Sequence, residues 1–167
     1  LDPSLFPLTD WRRCVSRAAQ WAPPGYGDPA GLPALRSAVA GWVSRSRGVH
    51  ATAEQVLITA GAQQAFDLFA RVLLAPGDTV AVEDPGYPVA RRAFAAHGLR
   101  VAPVPVDADG IVVQAIPAGA RAVYVTPSHQ SPTGVTMSAA RRRGLLAFAE
   151  SHGAAIIEDD YDTEFRW

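Results

Sequence analysis

Four short polar segments carry groups capable of chemistry, and each follows a short, largely apolar run that reads as a strand. Gly61-Ala62-Gln63-Gln64 places a glycine ahead of a helical pattern. Backbone N–H groups that open a helix can hold a phosphate, and a plain turn is the other reading. Glu83-Asp84-Pro85-Gly86-Tyr87-Pro88 sets an aromatic ring beside a forced turn, able to stack on a flat ligand or to cap a sheet edge. Ser128-His129-Gln130-Ser131-Pro132-Thr133-Gly134 is a polar stretch bracketed by Pro127 and Pro132, a composition that core filling does not require. Its His129 can orient the loop or take part in a reaction, and with no second His or Cys beside it the segment does not read as a metal site.

The fourth segment, Glu158-Asp159-Asp160-Tyr161-Asp162-Thr163-Glu164-Phe165, is the most informative. At least one of its carboxylates lies at a strand end, where desolvation is costly without a cationic partner. A protonated pyridine nitrogen is one such partner and Mg²⁺ is another. A Mg²⁺ site accounts for Asp159 and Asp160 but leaves the Pro-Thr-Gly loop unexplained. All 15 basic residues are arginines, so the chain holds no lysine amine for covalent chemistry on a carbonyl. Arg91-Arg92 and Arg141-Arg142-Arg143 read as solvated helix faces.

The periodicity predicts the elements that carry these turns. Pro33 suits a first helical turn and opens a helix over 34–47, with Leu35, Val39, Trp42 and Val43 inward and Gly48 ending it. A short apolar strand over 56–59 leads to a helix over 63–74, with Phe66, Phe69, Ala70 and Leu73 inward. Then come a strand over 79–83, a helix over 89–97, strands over 100–104 and 122–126, a helix over 138–152 and a strand over 154–158. Short β-branched runs alternating with helices predict an α/β fold, a mostly parallel sheet with helices on both faces. In such sheets ligands gather at the carboxyl ends of the strands, where the polar segments fall. The stretch from Pro23 to Pro29 reads as an irregular loop.

Composition narrows the function further. At 167 residues and 49% apolar content the chain can bury one sizeable core. A net charge of −1 leaves no basic face for nucleic acid or anionic membrane, so any DNA contact would lie elsewhere. Cys14 stands alone, which excludes an internal disulfide and fits a reduced cytoplasm. No apolar run reaches membrane-spanning length, and Asp2 and Pro3 do not open a signal peptide. A chain that opens at Leu1 and stops at Trp167 directly after a motif is expected to be a piece of something longer.

Taken together and in this order, the turns resemble the large domain of fold-type I pyridoxal-phosphate enzymes, the aspartate aminotransferase superfamily. Pro-Ser-His-Gln-Ser-Pro-Thr-Gly-Val at 127–135 and Glu-Asp-Asp-Tyr-Asp-Thr-Glu-Phe-Arg at 158–166 look most like the MocR group, bacterial GntR-type transcription regulators with an aminotransferase-like effector domain. Pro3-Ser4-Leu5-Phe6-Pro7 and Trp11-Arg12-Arg13 fit the same group. The resemblance implies pyridoxal phosphate as cofactor. It matches Ala62 and Gln63 to the backbone positions that hold the phosphate, Tyr87 to the aromatic stacked on the pyridine, and Asp159 to the partner of the ring nitrogen. It matches Tyr161 to the tyrosine bonded to the ring hydroxyl, and Tyr26 to the tyrosine that reaches across a homodimer to the partner's phosphate. Ser131 stands where most aminotransferases have an asparagine on that hydroxyl, a variation seen in the MocR group.

The resemblance also implies a division of the chain. Residues 1–30 would be an N-terminal arm leading into the large domain, and 31–167 its first part, without the Schiff-base lysine region or the small domain. With no lysine, the chain is expected not to catalyse transamination. The regulator reading implies an amino acid or amine effector, a homodimer, DNA contacts only through a domain outside this chain, and a cytoplasmic location without membrane contact. The alternative is a piece of a genuine class I/II aminotransferase acting on amino acids and 2-oxo acids. In the resembled fold, two further strands insert between the strands at 56–59 and 154–158. Without them those strands are expected to stay apart, pair directly or recruit another chain.

Overall fold

The computed structural model describes residues 3–20 and 25–162. Pro23 and Pro24 of the expected loop, and Thr163 onward in the acidic motif, lie outside them. The chain divides into two compact units, Leu1–Ile58 and Thr59–Trp167.

The first unit is helical. α1 (Leu8–Ala19), which the periodicity does not predict, carries an exposed apolar stripe of Leu8, Trp11 and Val15, with Phe6 edge-on to Trp11 at 5.9 Å. α2 (Pro33–Arg47) starts with proline in its first turn and ends at Gly48, whose φ of 66° is the left-handed conformation that favours glycine. Asp28 caps the preceding turn through the Ala30 N–H and pairs with Arg36 at 2.9 Å, while Arg36 Nε donates to the Ala53 carbonyl. Of the predicted inward face, Leu35 and Trp42 are 45% and 40% exposed. A helical period marks a face that can be covered, not the partner that covers it. Residues 56–59 form no strand either, and the Ile58 N–H donates to the Ala30 carbonyl instead. An apolar run becomes a strand only when a ladder partner is present.

The second unit holds α3 (Ala62–Leu73), β1 (Thr79–Asp84), α4 (Pro88–Ala96), β2 (Arg100–Asp107), β3 (Gly110–Ile111), β4 (Ala120–Val125), α5 (Ala139–His152) and β5 (Ala155–Glu158). The sheet runs β3-β2-β1-β4-β5 and is parallel except for the short β2–β3 return. Alternation along the strands divides the core in two. Val80, Val82, Ala122 and Tyr124 meet Phe66 and Ala70 of α3 and Phe94 of α4, while Ala81, Val123 and Val125 share the opposite cluster with Leu145 of α5. Full burial of each Val or Leu contributes about 1.5–3 kcal/mol, so both layers hold the sheet on which the polar turns sit. Leu73, predicted inward, is 54% exposed at the end of α3.

Candidate functional site

Three of the four polar turns emerge where a strand ends, and the fourth opens α3. Gly61, with φ of 103°, turns the chain into α3 and, having no side chain, offers no cap to the first N–H groups. Ala62 and Gln63 are therefore exposed at a helix start whose dipole favours an anion. Tyr87 follows the cis Asp84–Pro85 bond and sits half-buried at the entry to α4. Ser131 precedes the cis bond to Pro132 in the loop after β4, and Asp159 is the first residue past β5.

Within this unit a cleft of about 280 Å³ is lined by Ala62, Tyr87, Ser131, Asp159 and Tyr161. Gln63, beside Ala62 at the helix start, is not on the lining, and Tyr26 lies in the other unit, fully exposed. Two further lining residues escape the sequence reading, Tyr124 and Thr126. The available signal is that Tyr124 is the one aromatic in a strand of Ala, Val and Arg, and Thr126 the first polar residue after it.

The acidic segment and the loop after β4 are joined residue by residue. The Tyr124 hydroxyl donates to Asp159 Oδ2 at 2.7 Å, and the Asp159 N–H donates to the Val125 carbonyl at 2.9 Å. Ser128 Oγ donates to Asp160 Oδ1 at 2.6 Å. The Tyr161 hydroxyl donates to the His129 carbonyl at 3.0 Å, and His129 Nδ1 lies 2.8 Å from Asp162. Asp159 thus faces the cleft while Asp160 and Asp162 hold the loop. His129 is bound into this zipper on both its carbonyl and its ring.

Tyr124 is 1% exposed and packed edge-on by Phe66 and Phe94 at 5.5 and 6.0 Å. Burial, reinforced by the Asp159 carboxylate, pushes its phenol far above the usual range, so it acts as a fixed donor. Burial and the nearby Asp162 raise Tyr161 as well. Beneath the cleft, Glu83 is 1% exposed and held above the usual glutamate range by burial, against the lowering effect of bonds from Thr126 and Gln130. Two arginines read as solvated turn out to be anchors. Arg141 pairs with Asp107 and donates to the Gly110 and Ile111 carbonyls, and Arg142 donates to the carbonyls of Pro127 and Met137. Helical spacing places an arginine on a face, and only the neighbouring loops decide whether that face is wet. Among the described residues no cluster of His, Cys, Asp or Glu could hold a metal ion.

A parallel sheet whose strand ends gather an aromatic ring, a fixed carboxylate and an open helix start defines an α/β cofactor-binding domain. The chain belongs to the aminotransferase class I and II family, whose model matches residues 2–161. It is 41% identical over its whole length to the HTH-type transcriptional regulator YdeL of Bacillus subtilis, covering 37% of that protein. It is 40% identical over 99% of its length to the HTH-type pyridoxine biosynthesis transcriptional regulator PdxR of Corynebacterium glutamicum, covering 36% of it. Among solved structures, an archaeal alanine:glyoxylate aminotransferase superposes with a TM-score of 0.88 at 33% identity, over 95% of this chain and 42% of its own. The chain therefore spans little more than a third of the length of the regulators it matches. The family and solved neighbours carrying the cofactor imply pyridoxal phosphate.

Proposed function

We propose that this chain forms the pyridoxal-phosphate-binding part of an effector-sensing, aminotransferase-like domain in a bacterial transcription regulator of the MocR type. The observation that carries the reading is Asp159, oriented by Tyr124 into the same cleft as Tyr87, Ser131 and the start of α3. The donor set fits the cofactor: a carboxylate for a pyridinium, an aromatic wall for its face and uncapped N–H groups for its phosphate.

In this arrangement the backbone at Ala62 and Gln63 would hold the phosphate, Tyr87 would stack on the ring, and Asp159 would favour a protonated ring nitrogen. Ser131 and Tyr161 serve the ring hydroxyl. Tyr26, on its exposed loop, would reach the phosphate of a second copy in a homodimer. Bound pyridoxal phosphate supplies an electrophilic carbonyl that recognises amines. No side chain here supplies a lysine amine, so this chain binds the cofactor reversibly and does not transaminate. The effector is an amino acid or amine, DNA is contacted by a domain outside this chain, and the protein works in the cytoplasm. No helix of the described residues is long and apolar enough to cross a membrane.

Titrating the chain with pyridoxal phosphate, followed by absorbance and borohydride reduction, tests the reading. Reversible uptake without a trapped adduct on an internal side chain is expected, and a stable internal adduct refutes it. A genuine aminotransferase is the second reading, favoured by the structural likeness to the archaeal enzyme. A basic winged-helix segment encoded upstream of Leu1 decides for the regulator.

A further inference from the structure

Glu83 ends the buried part of β1, yet it is an acid at 1% exposure, and its Oε1 has no hydrogen-bond partner among the described residues. A carboxyl group placed so deep without full pairing opposes folding, so its place here calls for a role other than stability. Its other oxygen is crowded. Oε2 accepts from Thr126 Oγ1 at 2.6 Å, from the Thr126 N–H at 3.2 Å and from Gln130 Nε2 at 3.2 Å.

Both partners pass the contact on to the turns that wall the cleft. Thr126 Oγ1 accepts from the Ser131 N–H at 3.0 Å. Gln130 Nε2 also donates to the carbonyls of Pro85 and Ser131, both at 2.8 Å, and its Oε1 accepts from the N–H and hydroxyl of Thr133. The Tyr87 turn in turn folds back onto Glu83 so closely that a Cβ on Gly86 would lie 2.1 Å from the Glu83 carbonyl oxygen. Glu83 itself does not line the cleft.

We propose that Glu83 is a positioning residue of this cleft: without touching the bound molecule, it sets the spacing between the Tyr87 turn and the Ser131 turn through Thr126 and Gln130. The inference rests on the cofactor reading above. Because the start of α3 is not tied to Glu83 by any of these bonds, the effect falls on the ring side of the cleft and spares the phosphate side.

The test uses the 167-residue chain, with pyridoxamine phosphate as fluorescent ligand and inorganic phosphate as competitor. Glu83→Ala should bind pyridoxamine phosphate on the order of tenfold more weakly, the loss of one strong hydrogen-bond junction, while its affinity for inorganic phosphate stays unchanged. Glu83→Gln keeps an acceptor oxygen for Thr126 and should restore binding to within about threefold of the native chain. Thr126→Val, which removes the relay hydroxyl of a residue that also lines the cleft, should reproduce the loss and Thr126→Ser should reverse it. The Glu83→Ala/Thr126→Val double variant should then lose no more than either single one. If Glu83→Ala does not fold, Glu83→Asp, whose shorter side chain draws the carboxylate back from Thr126 and Gln130, carries the test with the same selective loss of pyridoxamine phosphate expected. Native-like binding by a folded Glu83→Ala, or equal weakening of both ligands, overturns this inference alone. A native chain that takes up neither ligand overturns the cofactor reading and this inference with it.

Discussion

Asp159 and Asp160 are neighbours in sequence but part company at the end of β5, one lining the cleft and the other accepting from Ser128. If Asp159 pairs with the ring nitrogen as proposed, Asp159→Ala should weaken uptake of pyridoxal phosphate by about tenfold or more through loss of that charge-assisted bond. Asp160→Ala should do so much less, and equal losses in a cofactor titration would count against the assignment. Glu83 gives a pH signature. Burial raises its pKa in the fold, so its contribution to stability is complete below the unfolded value of about 4.3 and is lost as the pH rises through the folded value. Glu83→Gln, uncharged throughout, should melt progressively higher than the native chain as the pH is raised above the unfolded value. Parallel melting curves across that range would show that the acid is not destabilised by burial. Five residues of the cleft lining, Ala62, Tyr87, Ser131, Asp159 and Tyr161, were legible because proline, glycine and acidic residues interrupt apolar runs. Tyr124 and Glu83 were not, since each sits inside or at the edge of a strand pattern where only its neighbours reveal a polar task.

At the scale of elements, the caps were the clearest signals. Pro33 and Gly48 bound α2, and Gly153, with φ of 62°, closes α5. Ser138 caps the other end of α5, its Oγ accepting from the Arg141 N–H at 3.2 Å. Arg141 and Arg142 in that first turn then secure β3 and the loop after β4. Ser138→Ala should lower stability by about 1 kcal/mol, read as a fall in melting temperature, and Ser138→Asp should retain the cap. The antiparallel β3 escaped prediction because two residues have no periodicity to show. Residues 56–59 had a strand's composition, but composition does not provide a ladder partner.

For the whole molecule, the sheet order leaves β5 at one end, with Ala155, Ile156 and Ile157 half-buried and only β4 paired to it among the described residues. An open edge beside apolar side chains is a template for another chain. Light scattering should therefore show mass that grows with concentration. A concentration-independent monomer with one cooperative melt would mean that the sheet is sufficient by itself.

The sequence alone determined most of the alternation of strands and helices, the parallel sheet, three of the four polar turns at its strand ends and the lack of a lysine, because periodicity, proline and glycine act over a few residues. Only the tertiary structure decided which apolar faces were covered, that residues 56–59 stay out of the sheet, and that Arg142 holds a loop instead of facing water. It also decided that Glu83, from β1, meets Thr126 and Gln130 beyond β4, since contacts between residues more than 40 positions apart depend on which strands lie side by side.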